Sequence, residues 1–173
     1  MNKTKGRKGA EVVEFTMVLL PLLMMIFVLL DVSWGIFVKA TLAYAVHEGV
    51  RVGVTITGTQ AATAGSDLTS MVKTTVQQAS LGILRDTTLI KVNYFQPPSP
   101  GSTGAPVDVS NQSTGNNPLN IIQVSIQGFS LAPLVPRIFS LFTPVDKSAT
   151  TINAVAADII EPTRDPPPIG TAP

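Results

Sequence analysis

The chain has 173 residues, 45% of them hydrophobic and 13% charged, with a mean hydropathy of +0.33, so it has room for one modest domain. Its formal charge of +1 conceals an asymmetry: Lys3, Lys5, Arg7 and Lys8 precede the first acid, Glu11, and the rest carries eight Lys and Arg against eleven Asp and Glu. A slightly acidic folded part argues against nucleic-acid binding, which needs a basic surface, and the absence of cysteine excludes disulfides, thiolate catalysis and cysteine metal sites.

Residues 15–30 carry no charge. As a helix rising about 1.5 Å per residue they cover about 24 Å, short of a bilayer core of about 30 Å. The span therefore continues past Asp31. Residues 15–38 hold that single charge and extend roughly 36 Å, enough to cross a bilayer with some tilt. The basic residues ahead of the run predict an amino terminus held inside and the bulk of the chain outside. Pro21 is tolerated in a membrane helix as a kink.

Beyond Asp31 the residues Val32, Ile36, Ala40, Ala43, Val46, Val50 and Val54 recur every three or four positions, a helical stripe. Lys39, Glu48 and Arg51 lie off it, and Glu48 and Arg51 are spaced to pair weakly. One helix is predicted from about Ala10 to about Val54, leaving the membrane midway and becoming amphipathic. Gly49 and Gly53 have the small-xxx-small spacing that lets backbones approach closely and would mark a helix-packing face. Among Val52, Val54, Thr55, Ile56 and Thr57 the same pair also reads as a fraying helix end, and that reading is preferred at this level.

The residues Gly9, Ala10, Glu11, Val12, Val13, Glu14 and Phe15 resemble the processing site of type IVb prepilins. In that pattern a glycine precedes the cut, and a glutamate and an aromatic occupy the fifth and sixth mature positions. The resemblance implies that Gly9 ends a short basic leader, Ala10 is the new amino terminus, and Glu14 and Phe15 serve assembly and pairing. Asp31 through Gly35, followed by Tyr44, Ala45, Val46, His47, Glu48, Gly49, Val50 and Arg51, is similar to the TadE-like pattern of an acidic residue near a glycine and then a REG-x-R-like box. His47 stands where arginine is common. The resemblance covers roughly residues 7–57 and is to the TadE-like pseudopilins of the Tad (Flp) pilus system. It implies a single-pass protein of the bacterial cytoplasmic membrane. It further implies, as partners, a prepilin peptidase, other pilin-like subunits, the inner-membrane assembly platform and the lipid bilayer.

Further along, residues 66–80 place Leu68, Met71, Val72 and Val76 at helical spacing, with Ser66 as a cap and Gly82 as a stop. Ile90, Val92 and Tyr94 alternate with polar or opposite-face neighbours over residues 88–95. Ile122, Val124 and Ile126 do the same over residues 122–127, and residues 148–160 are rich in Thr, Ala, Val and Ile. Three strands are thus expected. The segment 96–118 between the first two is mostly Pro, Ser, Gly, Thr and Asn, and is read as a flexible loop in preference to a display surface. The apolar residues 129–142 are read as core cover, and the proline-rich residues 162–173 as an extended tail.

The expected architecture is α+β: a long amino-terminal transmembrane and amphipathic helix, a second helix and a small antiparallel sheet of about three strands. Its parts are a leader at 1–9, the membrane and membrane-proximal helix at 10–58, an extracytoplasmic domain at 59–161 and the tail. An enzyme is not expected. The one histidine, His47, falls on the long helix, the acids of the outer part are scattered singly, and no phosphate-binding glycine loop is present. No cofactor is expected either. Two other readings stay open: a membrane-anchored binding domain unrelated to pili, and a secreted protein cut at Ala43, Tyr44 and Ala45, a small-x-small site well beyond the apolar run.

Overall fold

The computed structural model describes residues 5–133, 149–162 and 165–170. The chain divides into two compact units, Met1–Phe37 with Leu131–Thr150, and Val38–Ser130 with Thr151–Pro173. One helix, α1 (Lys5–Thr55), runs through 51 residues with Pro21 inside it.

The two parts of α1 differ in what surrounds them. From Gly9 to Phe37 no residue is buried, and Phe15 and Met17 are 64% and 75% exposed. Beyond Phe37 a stripe of Val38, Leu42, Ala45, Val46, Val50 and Val54 is buried, with Thr41, Gly49 and Gly53 between them. The expected stripe coincides with it only at Val46, Val50 and Val54. Val32, Ile36 and Ala40 are exposed and Ala43 is half-buried, because apolar residues surround the helix in that stretch and periodicity cannot select one face. The buried face combines Val38, Leu42, Val46, Val50 and Val54 with Thr41, Ala45, Gly49 and Gly53, small or weakly polar residues that a count of large apolar side chains passes over.

Two short helices follow. In α2 (Gly58–Ala64) Thr57 caps the amino end: its backbone N–H reaches Gln60 Oε1 at 2.9 Å while its hydroxyl accepts from the Gln60 N–H. In α3 (Leu68–Ala79) the cap is Asp67, not Ser66. Its carboxylate accepts from the N–H of Ser70 at 2.8 Å and from the Ser70 hydroxyl at 3.0 Å, a charge-assisted cap that a serine does not match. Leu68, Val72 and Val76 are fully buried, as their spacing requires.

The sheet has four strands, β1 (Ile90–Gln96), β2 (Val107–Asp108), β3 (Ile121–Leu131) and β4 (Thr150–Ile159), in the order β2-β1-β3-β4. Strand β1 runs antiparallel to both neighbours, with Val92 opposite Val124 and Phe95 opposite Asp108. Ile90, Val92 and Tyr94 are fully buried on one face beside Ile122, Val124 and Ile126, and β4 adds Ala154 and Ala156. The α+β architecture thus matches the expectation, with β2 as an added strand inside segment 96–118. Thr88 and Leu89 belong to a short 3-10 turn, Thr87–Leu89, that leads into β1.

Side chains outside regular structure fasten the connections. The Ser110 hydroxyl accepts the Tyr94 N–H at 2.8 Å, and Val109 donates its N–H to Tyr94 O at 2.9 Å. Hydrogen bonding by Ser110, through its side chain first and its backbone second, holds the Asp108 carboxyl below the usual carboxylate range. This lowering favours the fold above the unfolded carboxyl's pKa and is lost as pH falls through the folded one. Asn120 donates to the carbonyls of Thr114 and Gly115 at 3.2 and 2.9 Å. The second half of segment 96–118 is therefore tied to the sheet.

Residues 165–170 of the tail are in neither helix nor strand, and carbonyls among them close two helix ends. Leu68 and Thr69, the first residues of α3, donate their N–H groups to Pro168 O at 3.0 Å and Ile169 O at 3.2 Å, and Gly58 donates to Asp165 O at 3.0 Å. Asn116 donates to Pro167 O. A helix leaves its first N–H groups without internal partners. A proline run suits them because it offers acceptors while bringing no donors of its own. The apolar segment expected as core cover falls largely on residues 134–148, outside the described residues, as does the predicted start of the last strand at Ser148.

Gly49 and Gly53 are where α1 meets α3 and the sheet. A Cβ on Gly49 would collide with Val76 Cγ2, and one on Gly53 with Ile122 Cδ1. Both glycines lie within α1, whose last residue is Thr55, so contact with the core accounts for them where fraying does not. Replacing Gly49 by valine is expected to destabilise this unit by about 2 kcal/mol or more through overpacking, despite the gain in helix propensity. Urea unfolding of the detergent-held full chain, compared with wild type, measures it.

Candidate functional site

Residues Gly9 to Phe37, 29 in all, form one exposed, largely apolar helical surface whose charged side chains are Glu11, Glu14 and Asp31. Among the described residues this helix is the one long and apolar enough to cross a membrane. Its few hydroxyls are satisfied internally. Thr16 Oγ1 donates to Val12 O at 2.8 Å and Ser33 Oγ to Leu29 O at 2.7 Å, so neither carries an open donor into lipid.

Gly9, Ala10, Glu14 and Phe15 are all exposed on this helix. Ala10 and Glu14 stand four residues apart, hence one turn apart on the same face. In the intact chain the Ala10 nitrogen is an amide within α1, so an ion pair there requires cleavage. Gly9 has no atom within 4 Å of the place its Cβ would take. Packing among the described residues therefore does not call for a glycine at this position. A helix carries glycine at a cost of about 1 kcal/mol relative to alanine.

At the other end of the apolar surface the Trp34 and Phe37 rings lie 5.6 Å apart at 30°. Both are about half exposed, and Tyr44 is more exposed still. Tryptophan and tyrosine collect where a span meets water, because one end of each ring is apolar and the other polar. Sequence reading passed over this group, although aromatic residues at i and i+3 beside Asp31 were visible in it.

The REG-like box splits between two roles. Gly49 and Val50 are buried, whereas His47 and Arg51 are exposed, and Arg51 Nη1 meets Glu48 Oε1 at 3.5 Å. This distance and exposure make a weak surface pair. Ala45 is fully buried within α1, so a cut after it would remove Val38 and Leu42 from the core. Among the described residues no group of three His, Cys, Asp or Glu side chains converges.

Residues 9–51, a quarter of the chain, match the family model described as TadE-like protein. No curated protein and no solved structure matches the chain. The matched region ends at Arg51 and so contains the exposed span, the aromatic pair and Gly49.

Proposed function

Taking the TadE-like match of residues 9–51 as the premise, we propose that the protein is a pilin-like minor subunit, a pseudopilin, acting in Tad (Flp) pilus assembly. A prepilin peptidase removes residues 1–9, and the helix stays in the bacterial cytoplasmic membrane with the sheet-bearing unit outside. Its packing with other pilin-like subunits and the inner-membrane assembly platform helps start or complete the fibre. The observation that carries the processing step is Gly9, a glycine inside a helix with none of the described residues near it. That position is costly to the fold and useful to a peptidase that must approach the backbone.

Cleavage would create an amine at Ala10, one turn from Glu14. An acid in the first turn of a helix interacts favourably with the dipole, and the amine gives it an opposite charge. The pair would form within one subunit or between neighbours, and it lowers the cost of holding a carboxylate at the lipid boundary. At the bilayer centre that cost is about 2.5 to 3.5 kcal/mol on insertion scales, and it falls toward the interface.

Intact-mass measurement of protein from its native membrane is expected to give a chain beginning at Ala10. A chain beginning at Met1 would leave a plain membrane anchor, and one beginning at Val46 the secreted form. For orientation, a reporter active only outside the cytoplasm, fused after the exposed Gly65, is expected to work. Activity confined to the cytoplasm would reverse the topology. Replacing Glu14 by alanine is expected to leave insertion and leader removal intact while reducing co-purification of other pilin-like subunits and pilus number. Normal piliation in that variant would remove Glu14 from assembly.

A further inference from the structure

The two edges of the sheet are finished differently. At one edge β2 is only two residues long, and the Ser110 hydroxyl and Val109 N–H close onto Tyr94 beside it. The other edge is β4, ten residues with no proline, no lysine and one charge, Asp158. Among the described residues no strand lies beyond it. Proteins ordinarily protect such an edge with charge, proline or a bulge, because its open N–H and C=O groups template another strand.

Which groups are open follows from the alternation of the ladder. Ile160, just past β4, donates to Asn120 O at 2.8 Å and accepts from the Leu119 N–H at 3.1 Å, so it faces β3. Ile159, Ala157, Val155 and Asn153 then turn their backbone groups to the free side. Asp158 Oδ1 accepts the Ile159 N–H at 2.8 Å, and among the described residues this is the one side chain that occupies an outward group of the edge. Side chains along the edge are also uncovered, with Val155 54% and Ile159 57% exposed and Asn153 and Ala157 exposed beside them.

We propose that the free edge of β4 pairs with β4 of a second copy of this chain, antiparallel and centred on Val155. The strand is complementary to itself in this direction. Val155 meets Val155 of the partner, Asn153 meets Ala157, and Thr151 meets Ile159, a ladder of β-branched and small side chains. The two Asp158 carboxylates then stand six residues apart along the strand, roughly 20 Å at about 3.4 Å per residue. In parallel pairing they would be immediate neighbours and repel. The antiparallel pairing is two-fold symmetric, so it closes at two chains and joins two four-stranded sheets into one of eight. The inference does not depend on the pilus reading.

The chain has no cysteine, so single cysteines report the pairing directly. In the full chain held in detergent, oxidation of Val155→Cys is expected to give about tenfold more disulfide dimer than Ala62→Cys on exposed α2, since centred pairing brings the two Cα atoms within bridging distance. Thr151→Cys is expected to bridge to Ile159→Cys in a mixture and not to itself. Val155→Pro removes one outward N–H at a place where an edge strand tolerates proline, and is expected to convert the dimer to monomer by light scattering. Val155→Lys, which sets two like charges opposite each other, should do the same at low salt and recover at high salt. A monomeric wild type, equal bridging at Val155 and Ala62, or self-bridging at Thr151 would each overturn the proposal.

Discussion

The outer unit depends on how closely α1 can approach α3 and β3. At Gly49 and Gly53 the helix backbone lies against Val76, Val72 and Ile122, and a methyl group there would displace Val76 or the Ile122 side-chain end. Two glycines in a helix each cost about 1 kcal/mol of propensity. The return is contact between whole elements, since Val72, Val76, Val124 and Ile122 are buried around that crossing. A long helix that must also serve lipid cannot spread large side chains on every face and still dock against a sheet. Small residues at one interval let it do both.

This constraint divides α1 by environment and not by any break in the backbone. Between Phe15 and Phe37 Asp31 is the one charged residue, and the hydroxyls of Thr16 and Ser33 are bonded to the helix's own carbonyls. After Phe37, one face is apolar and buried while His47 and Arg51 remain in water. In the TadE-like match both segments appear together, which fits a unit whose span and docking face are one continuous element. The glycines also separate by role. Gly49 and Gly53 lie against the chain's own core, whereas none of the described residues approaches Gly9.

The remaining polar problem is at helix ends. α2 and α3 begin within ten residues of each other, and each start leaves N–H groups without helical acceptors. Thr57 and Asp67 satisfy some of them from side chains, and the tail carbonyls of Asp165, Pro168 and Ile169 satisfy others. Residues 165–170 of the proline-rich tail are thereby part of the fold. Ile169 is buried and Thr69 donates its hydroxyl to the carbonyl of that residue at 2.6 Å.

Sequence alone determined what depends on local composition and short periods. The charge-free run, the spacing of Leu68, Val72 and Val76, and the alternation through Val92 and Val124 each need only a few neighbouring residues to express themselves, and all appear where the pattern put them. The TadE-like pattern over residues 9–51 was legible too, because a family pattern is written in consecutive positions. Tertiary structure decided whatever depends on residues distant in the chain. It chose the buried face of α1 from a stretch apolar on every side, preferred Asp67 to its neighbour as a cap, and brought Ser110 to Tyr94 across sixteen positions. It also turned two glycines that looked like a fraying end into a close contact with Val76 and Ile122. A single strand of text records which side chains exist. Which of them share a surface is fixed only when helix, sheet and tail compete for the same space.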